Sequence, residues 1–176
     1  GYLKKPRKVQ VIGGEEKELQ TSTLAIQDAQ RVVAMAGIIG EQTSSVSKQT
    51  INIAIESAYF KPDKIINQSR LYGLTTDAGF RFERGVDPTL QEFAIMRYLS
   101  LLSEIAHFES IECFKKGKAK SIAKPIKVNI KAFEKFSDIK LGASQAVKIL
   151  KLLGFEVKKL SLDSFLVNVP AFRNDV

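Results

Sequence analysis

Ile51-Asn52-Ile53-Ala54-Ile55-Glu56-Ser57-Ala58-Tyr59-Phe60-Lys61-Pro62 opens the stretch around which the 176-residue chain is arranged, and Gly73-Leu74-Thr75-Thr76-Asp77-Ala78-Gly79-Phe80-Arg81-Phe82-Glu83-Arg84-Gly85-Val86-Asp87-Pro88 closes it. Ile51, Ile53 and Ile55 alternate with Asn52, Ala54 and Glu56, which predicts a β-strand with the isoleucines on its core face and Glu56 on the other. Pro62 suits the first turn of a helix, Ile65 and Ile66 supply its inner side, and Gly73 is a natural left-handed cap that ends it near Tyr72. Asp87-Pro88 is a second start signal. Leu90, Ala94, Tyr98, Leu101, Leu102 and Ile105 follow it at helical spacing and predict the longest helix, with its stripe in the core.

Upstream, Val9 alternates with Val11, and Gly13-Gly14 marks the turn of a hairpin whose second strand lies near Leu19. Strands are expected again over residues 23–27 and 31–36, joined by an Asp28-Ala29-Gln30 turn and packed as a meander. Gly37-Ile38-Ile39-Gly40 then leads into a polar loop over residues 41–50. Glycines on both sides of two isoleucines point to backbone conformations or close approaches that a Cβ would hinder, although a tight turn alone also accounts for them. Downstream, Ile126, Val128 and Ile130 alternate as a strand. Leu141-Gly142-Ala143-Ser144 enters a helix with Ala146, Val147, Leu150 and Leu153 on one face, closed by Gly154. Residues 157–160 and 165–169 form a final hairpin that Pro170 ends.

Composition bounds the function classes. At 44% hydrophobic content the chain can bury one good core, or one medium domain and part of another. Neither a membrane-length apolar run nor a charged-then-apolar leader is present, so the expected setting is cytoplasmic. One cysteine, Cys113, excludes an internal disulfide, and one histidine, His107, leaves neither a zinc cluster nor an obvious Ser-His-Asp set. A chain that opens on Gly1 and closes just beyond a proline reads as a piece of a longer polypeptide.

The net charge of +8 is uneven. Residues 1–112 carry 13 Lys or Arg against 14 Asp or Glu, whereas residues 113–176 carry 14 against 5. The lysine-rich run from Lys115 to Ser121 reads as a connector, so the expected domains are residues 1–120 and 121–176, with a boundary near 120. A helix followed by a two-stranded wing on a basic module is a winged-helix-like pattern suited to nucleic acid, though lysine enrichment also serves solubility alone.

Four motifs in order carry a resemblance: Ala34-Met35-Ala36-Gly37-Ile38-Ile39-Gly40, then Ile55-Glu56-Ser57-Ala58-Tyr59-Phe60 with Pro62, then Gly73-Leu74-Thr75-Thr76-Asp77-Ala78, then residues 81–88. Together they resemble the β subunit of bacterial phenylalanyl-tRNA synthetase. Leu152-Leu153-Gly154-Phe155-Glu156-Val157 and Val169-Pro170-Ala171-Phe172-Arg173-Asn174-Asp175 resemble the domain that follows the editing domain of that subunit. The resemblance implies an α+β fold, with the C-terminal part of an editing domain followed by most of a small helix-and-wing domain.

It further implies hydrolysis of tyrosine wrongly attached to tRNA(Phe), with the tyrosine hydroxyl read by Glu56, Thr76 and Ala78 in the pocket wall, and Gly40 where bulk would fill the pocket. A bound water attacks the ester and no side chain serves as nucleophile. The implied partners are tRNA(Phe) and the α subunit of a heterotetramer. The implied cofactors are ATP and Mg2+ for the parent enzyme and none in this piece. Glu41 departs from the family, which usually has a second glycine there, and the family's editing histidine falls in a segment upstream of Gly1. From the residues alone, Glu56 is open to an ion pair with Arg81 or Arg84. The whole chain is likewise open to a second reading, a non-catalytic tRNA- or DNA-binding module whose N-terminal portion is only a scaffold.

Overall fold

The computed structural model describes residues 1–117 and 124–176, so the boundary expected near residue 120 lies outside the described residues. The chain is of mixed α+β class and divides into two units, Gly1–Val86 with Leu90–Lys116, and Asp87–Thr89 with Gly117–Val176.

In the first unit, β1 (Arg7–Gln10) and β2 (Glu16–Leu19) pair antiparallel, with Arg7 opposite Leu19 and Gln10 opposite Glu16. Gly13 and Gly14 take φ values of +102° and +89°, which side chains resist, and the strands close through Val11 N–H to the Glu15 carbonyl. The expected hairpin is present. β3 (Ala25–Gln27) and β4 (Val32–Met35) pair as expected, and β5 (Ile39–Gly40), in a stretch read as leading into a loop, adds a third antiparallel strand. Asp28 turns the chain between β3 and β4, its Oδ1 accepting the amides of Gln30 and Arg31 at 2.7 Å each. These bonds hold the Asp28 carboxyl below its ordinary pKa. Ile12 N–H to the Gly40 carbonyl and Gln42 N–H to the Gln10 carbonyl tie hairpin and meander together.

Helical segments pack beside these sheets. In place of one helix from Pro62 to Tyr72 there are two short ones, α1 (Pro62–Ile65) and α2 (Gln68–Leu71). Asn67 breaks them apart at φ +65°, a conformation its short polar side chain tolerates. Gly73, at φ +63°, ends the pair as expected. Buried Thr23 and the Tyr72 hydroxyl bond to each other, and Tyr72 Oη also accepts Gln20 N–H at 2.8 Å, so α2 is pinned to the turn after β2. α3 (Asp77–Arg84) follows, and α4 (Gln91–Leu102) begins three residues after Pro88.

Two further expectations fail in this unit. Residues 51–61 form no strand: Ile51 is 92% exposed and Ile53 49%, so the isoleucines do not build a core face. Alternation defines faces, but a strand also needs a neighbour to complete its ladder, and among the described residues none pairs here. The α4 stripe is not core either. No α4 residue is buried, and of the stripe itself Leu90 is 47%, Tyr98 46% and Ile105 85% exposed.

In the second unit, β6 (Ile126–Asn129), β7 (Glu156–Lys159) and β8 (Ser164–Asn168) make an antiparallel sheet in the order β6-β8-β7. α5 (Ile130–Ser137), which strand alternation through Ile130 conceals, starts where the Asn129 side chain accepts Ala132 N–H at 2.9 Å. α6 (Ala143–Leu152) precedes the β7–β8 wing as expected. Ile130, Ala146, Phe155, Phe165 and Val167 form this unit's own core. Arg173 grips Asp175 with two bonds of 2.7 and 2.8 Å and lies over the Phe155 ring.

Candidate functional site

Gly37 and Gly40 bracket the β4–β5 turn, and both occupy places a Cβ would crowd. Gly37 has φ +69°, and a Cβ there would lie 3.0 Å from Phe60 Cδ2 and 3.2 Å from Phe82 Cδ2. At Gly40 a Cβ would meet Ile12 Cδ1 at 3.0 Å. The glycine spacing therefore reflects close approach at both positions, and a left-handed backbone at the first.

Thr76 is the N-cap of α3. Its Oγ1 accepts Gly79 N–H at 3.0 Å and donates to the Ile38 carbonyl at 2.9 Å, joining the helix start to the turn that contains Gly40. Both roles of the hydroxyl are used by the fold. Gly79 is closely approached as well, since a Cβ there would fall 2.5 Å from Ser69 Oγ, a buried oxygen without a hydrogen-bond partner among the described residues, and that hydroxyl would have to turn. Ala78, partly buried, is the second residue of α3, and Phe82 follows it one turn later on the same side of the helix. This helix escaped the sequence reading because Gly79 interrupts its short pattern. Its signals were nonetheless present: a Thr N-cap, Asp77 in the first turn, Arg81 and Arg84 in the last, and Gly85 beyond.

Glu56 lies in the unpaired segment before α1. The residue as a whole is exposed, yet the protein around its carboxyl removes enough water to push its pKa up. Among the described residues it makes no hydrogen bond or ion pair. Arg84 instead pairs with Glu83 at 2.6 Å and stacks over Phe80, so the open alternative of a Glu56–Arg84 pair is not formed. Thus the Gly40 turn and α3, with Thr76 and Ala78, are linked by a direct hydrogen bond. Glu56 lies four residues before Phe60, whose ring meets Phe82 of α3. Phe60 and Ile38 stand within the quoted motifs, but nothing in the sequence marks the contact of the one ring or the role of the other's carbonyl.

Glu41, where the resemblance expects glycine, is 8% exposed. Its carboxylate accepts Thr43 N–H at 2.8 Å, Thr43 Oγ1 at 2.9 Å and Ser44 N–H at 2.9 Å, and so caps its own turn. Burial pushes its pKa up, but the hydrogen bonds from Thr43 and Ser44 outweigh that and hold it below the ordinary value. A carboxylate with a lowered folded-state pKa stabilises the fold fully above its unfolded pKa of roughly 4.3, and that contribution drains as pH falls through the folded value. Glu41→Gln should therefore flatten the acid side of a plot of melting temperature against pH. An unchanged acid limb would mean the turn does not depend on this carboxylate.

A polar cleft of about 340 Å³ lies between β1 and the β3–β4 turn, lined by Arg7, Gln10, Gln27, Arg31 and Glu41 among others. None of Gly40, Glu56, Thr76 and Ala78 lines it, and its central charges are committed, Arg31 to Thr43 and Glu41 to its own turn. Among the described residues no three His, Cys, Asp or Glu side chains converge to hold a metal ion. Among the same residues no helix is long and apolar enough to cross a membrane.

Residues 2–107 match the B3/4 domain, and the chain belongs to that family. Its curated relatives are phenylalanine--tRNA ligase beta subunits, in agreement with the motif resemblance. It is 38% identical over 168 residues to that of Pseudoalteromonas translucida, covering 94% of this chain and 21% of the relative. Against the Idiomarina loihiensis subunit the identity is 34% over 177 residues, covering 99% and 22%. Against the Photorhabdus laumondii subunit it is 47% over 107 residues, covering 61% and 14%. The chain spans about a fifth of the length of the first two relatives.

Proposed function

We propose that this chain is the part of a longer phenylalanine--tRNA ligase beta subunit that removes tyrosine wrongly attached to tRNA(Phe). The observation that carries this reading is the hydrogen bond from Thr76 to the Ile38 carbonyl, which draws α3 and the Gly37–Gly40 turn together. Residues 51–61 reach the same place through the Phe60–Phe82 contact. Ionised Glu56 accepts the hydrogen bond of the tyrosine hydroxyl, a group phenylalanine lacks. An acceptor that the bound ring covers, and that phenylalanine would leave unpaired, separates the two amino acids far better than an apolar slot.

The partial loss of water that raises the Glu56 pKa also strengthens a hydrogen bond formed there. Thr76, its hydroxyl already held between Ile38 and Gly79, fixes the pocket wall, and Ala78 leaves room for the ring. A water then attacks the ester carbonyl, positioned by backbone groups of the turn. Synthesis of phenylalanyl-tRNA(Phe), with ATP, Mg2+ and the α subunit, belongs to other parts of the cytoplasmic enzyme. The test is release of tyrosine from tyrosine-charged tRNA(Phe) by the full-length ligase, with phenylalanine-charged tRNA(Phe) spared. Equal release of the two amino acids would sink the reading.

A further inference from the structure

We infer that Phe60 and Phe82, seated together on Gly37, are a positioning pair that fixes the Glu56 segment against α3 and the glycine turn. The inference rests on the proposed editing role for its functional consequence, though not for its geometry. Among the described residues nothing pairs with residues 51–61 as a strand, so they depend on side chains for their placement. Two anchors are present. Ser57 Oγ donates to the Gln91 carbonyl at 2.9 Å, and the Phe60 ring meets Phe82 edge-to-face with centroids 5.1 Å apart and planes at 63°.

Such aromatic contacts hold a preferred geometry as well as burying area. Glu56 adjoins the first anchor and lies four residues from the second, at most about 14 Å of extended chain away. Phe82 is one helical turn from Ala78, so the ring that holds Phe60 stands beside the residue that makes room for the ligand. Gly37 completes the arrangement, because a Cβ there would press on both rings, 3.0 Å from Phe60 Cδ2 and 3.2 Å from Phe82 Cδ2.

Spin labels at positions 56 and 78, introduced as Glu56→Cys and Ala78→Cys with Cys113→Ser, test the geometry without reference to chemistry. A narrow distance distribution that broadens on Phe60→Ala supports the pair, and one of unchanged width overturns it. The functional test is a double-mutant cycle in the full-length ligase, reading tyrosine release from tyrosine-charged tRNA(Phe). Phe60→Ala should slow release by about 10- to 100-fold, the range expected when a reacting group is misplaced by about an ångström. Added to Glu56→Ala it should have little further effect, and Phe60→Leu, which keeps apolar bulk over Gly37, should recover part of the rate.

Cognate aminoacylation and the melting temperature report folding, and Phe60→Leu takes over the test where Phe60→Ala unfolds. Losses that multiply in the double variant overturn the positioning role. A silent Glu56→Ala sinks the site assignment instead, and the spin-label distances then decide the pair by themselves.

Discussion

Glu56→Ala in the full-length ligase should leave phenylalanylation intact while tyrosine clearance falls about ten- to hundred-fold. The magnitude follows from the interaction removed. A hydrogen bond to a charged group contributes roughly 1.5 to 3 kcal/mol, and each ~1.4 kcal/mol is a factor of ten in rate. Selectivity of the effect follows from the fold: among the described residues Glu56 holds no ion pair or hydrogen bond, so its truncation breaks nothing in the free protein. Deacylation of tyrosine-charged tRNA(Phe) by variant and parent is the measurement. Clearance at the parental rate by a folded variant would remove Glu56 from the site.

Gly37→Ala should lower stability by about 2 to 5 kcal/mol, a large share of the total for a domain of this kind. Two costs combine. A side chain at φ +69° is strained by roughly 1 to 2 kcal/mol, and overfilling a packed site adds about 1 to 3 kcal/mol. Gly14→Ala is the internal control. It carries the same kind of strain at φ +89°, but a Cβ there meets nothing within 4 Å, so it should cost only the first part. Urea denaturation followed by circular dichroism compares the two, and equal shifts would show that the aromatic rings yield without cost.

What the sequence revealed tracks how local each feature is. The β1–β2 hairpin and the α6-then-wing order were legible because alternation and turn residues lie within a dozen positions of one another. The segment around Ile53 was misread because its alternation is real but its ladder partner is a matter of the whole fold. α4 was misread for the same reason in another form, since periodicity tells which side is apolar and nothing about what covers it.

At the site, Gly40, Glu56, Thr76 and Ala78 came from the order of four motifs, not from any periodic pattern. The partners that organise them were invisible in advance. A backbone carbonyl such as that of Ile38 leaves no mark in a sequence, and Phe60 and Phe82, 22 positions apart, become neighbours only in three dimensions.

The absence of a ladder through residues 51–61 has a consequence for how occupancy could be seen. Among the described residues no backbone amide from Ile51 to Lys61 donates a hydrogen bond, whereas alternate amides of the β1–β2 and β3–β4 ladders are held across their strands. Deuterium should therefore enter this segment early, by small local openings rather than by global unfolding. Slower uptake there on adding a tyrosine ester would then register a seated ligand directly, with the paired strands as an unchanging reference in the same molecule.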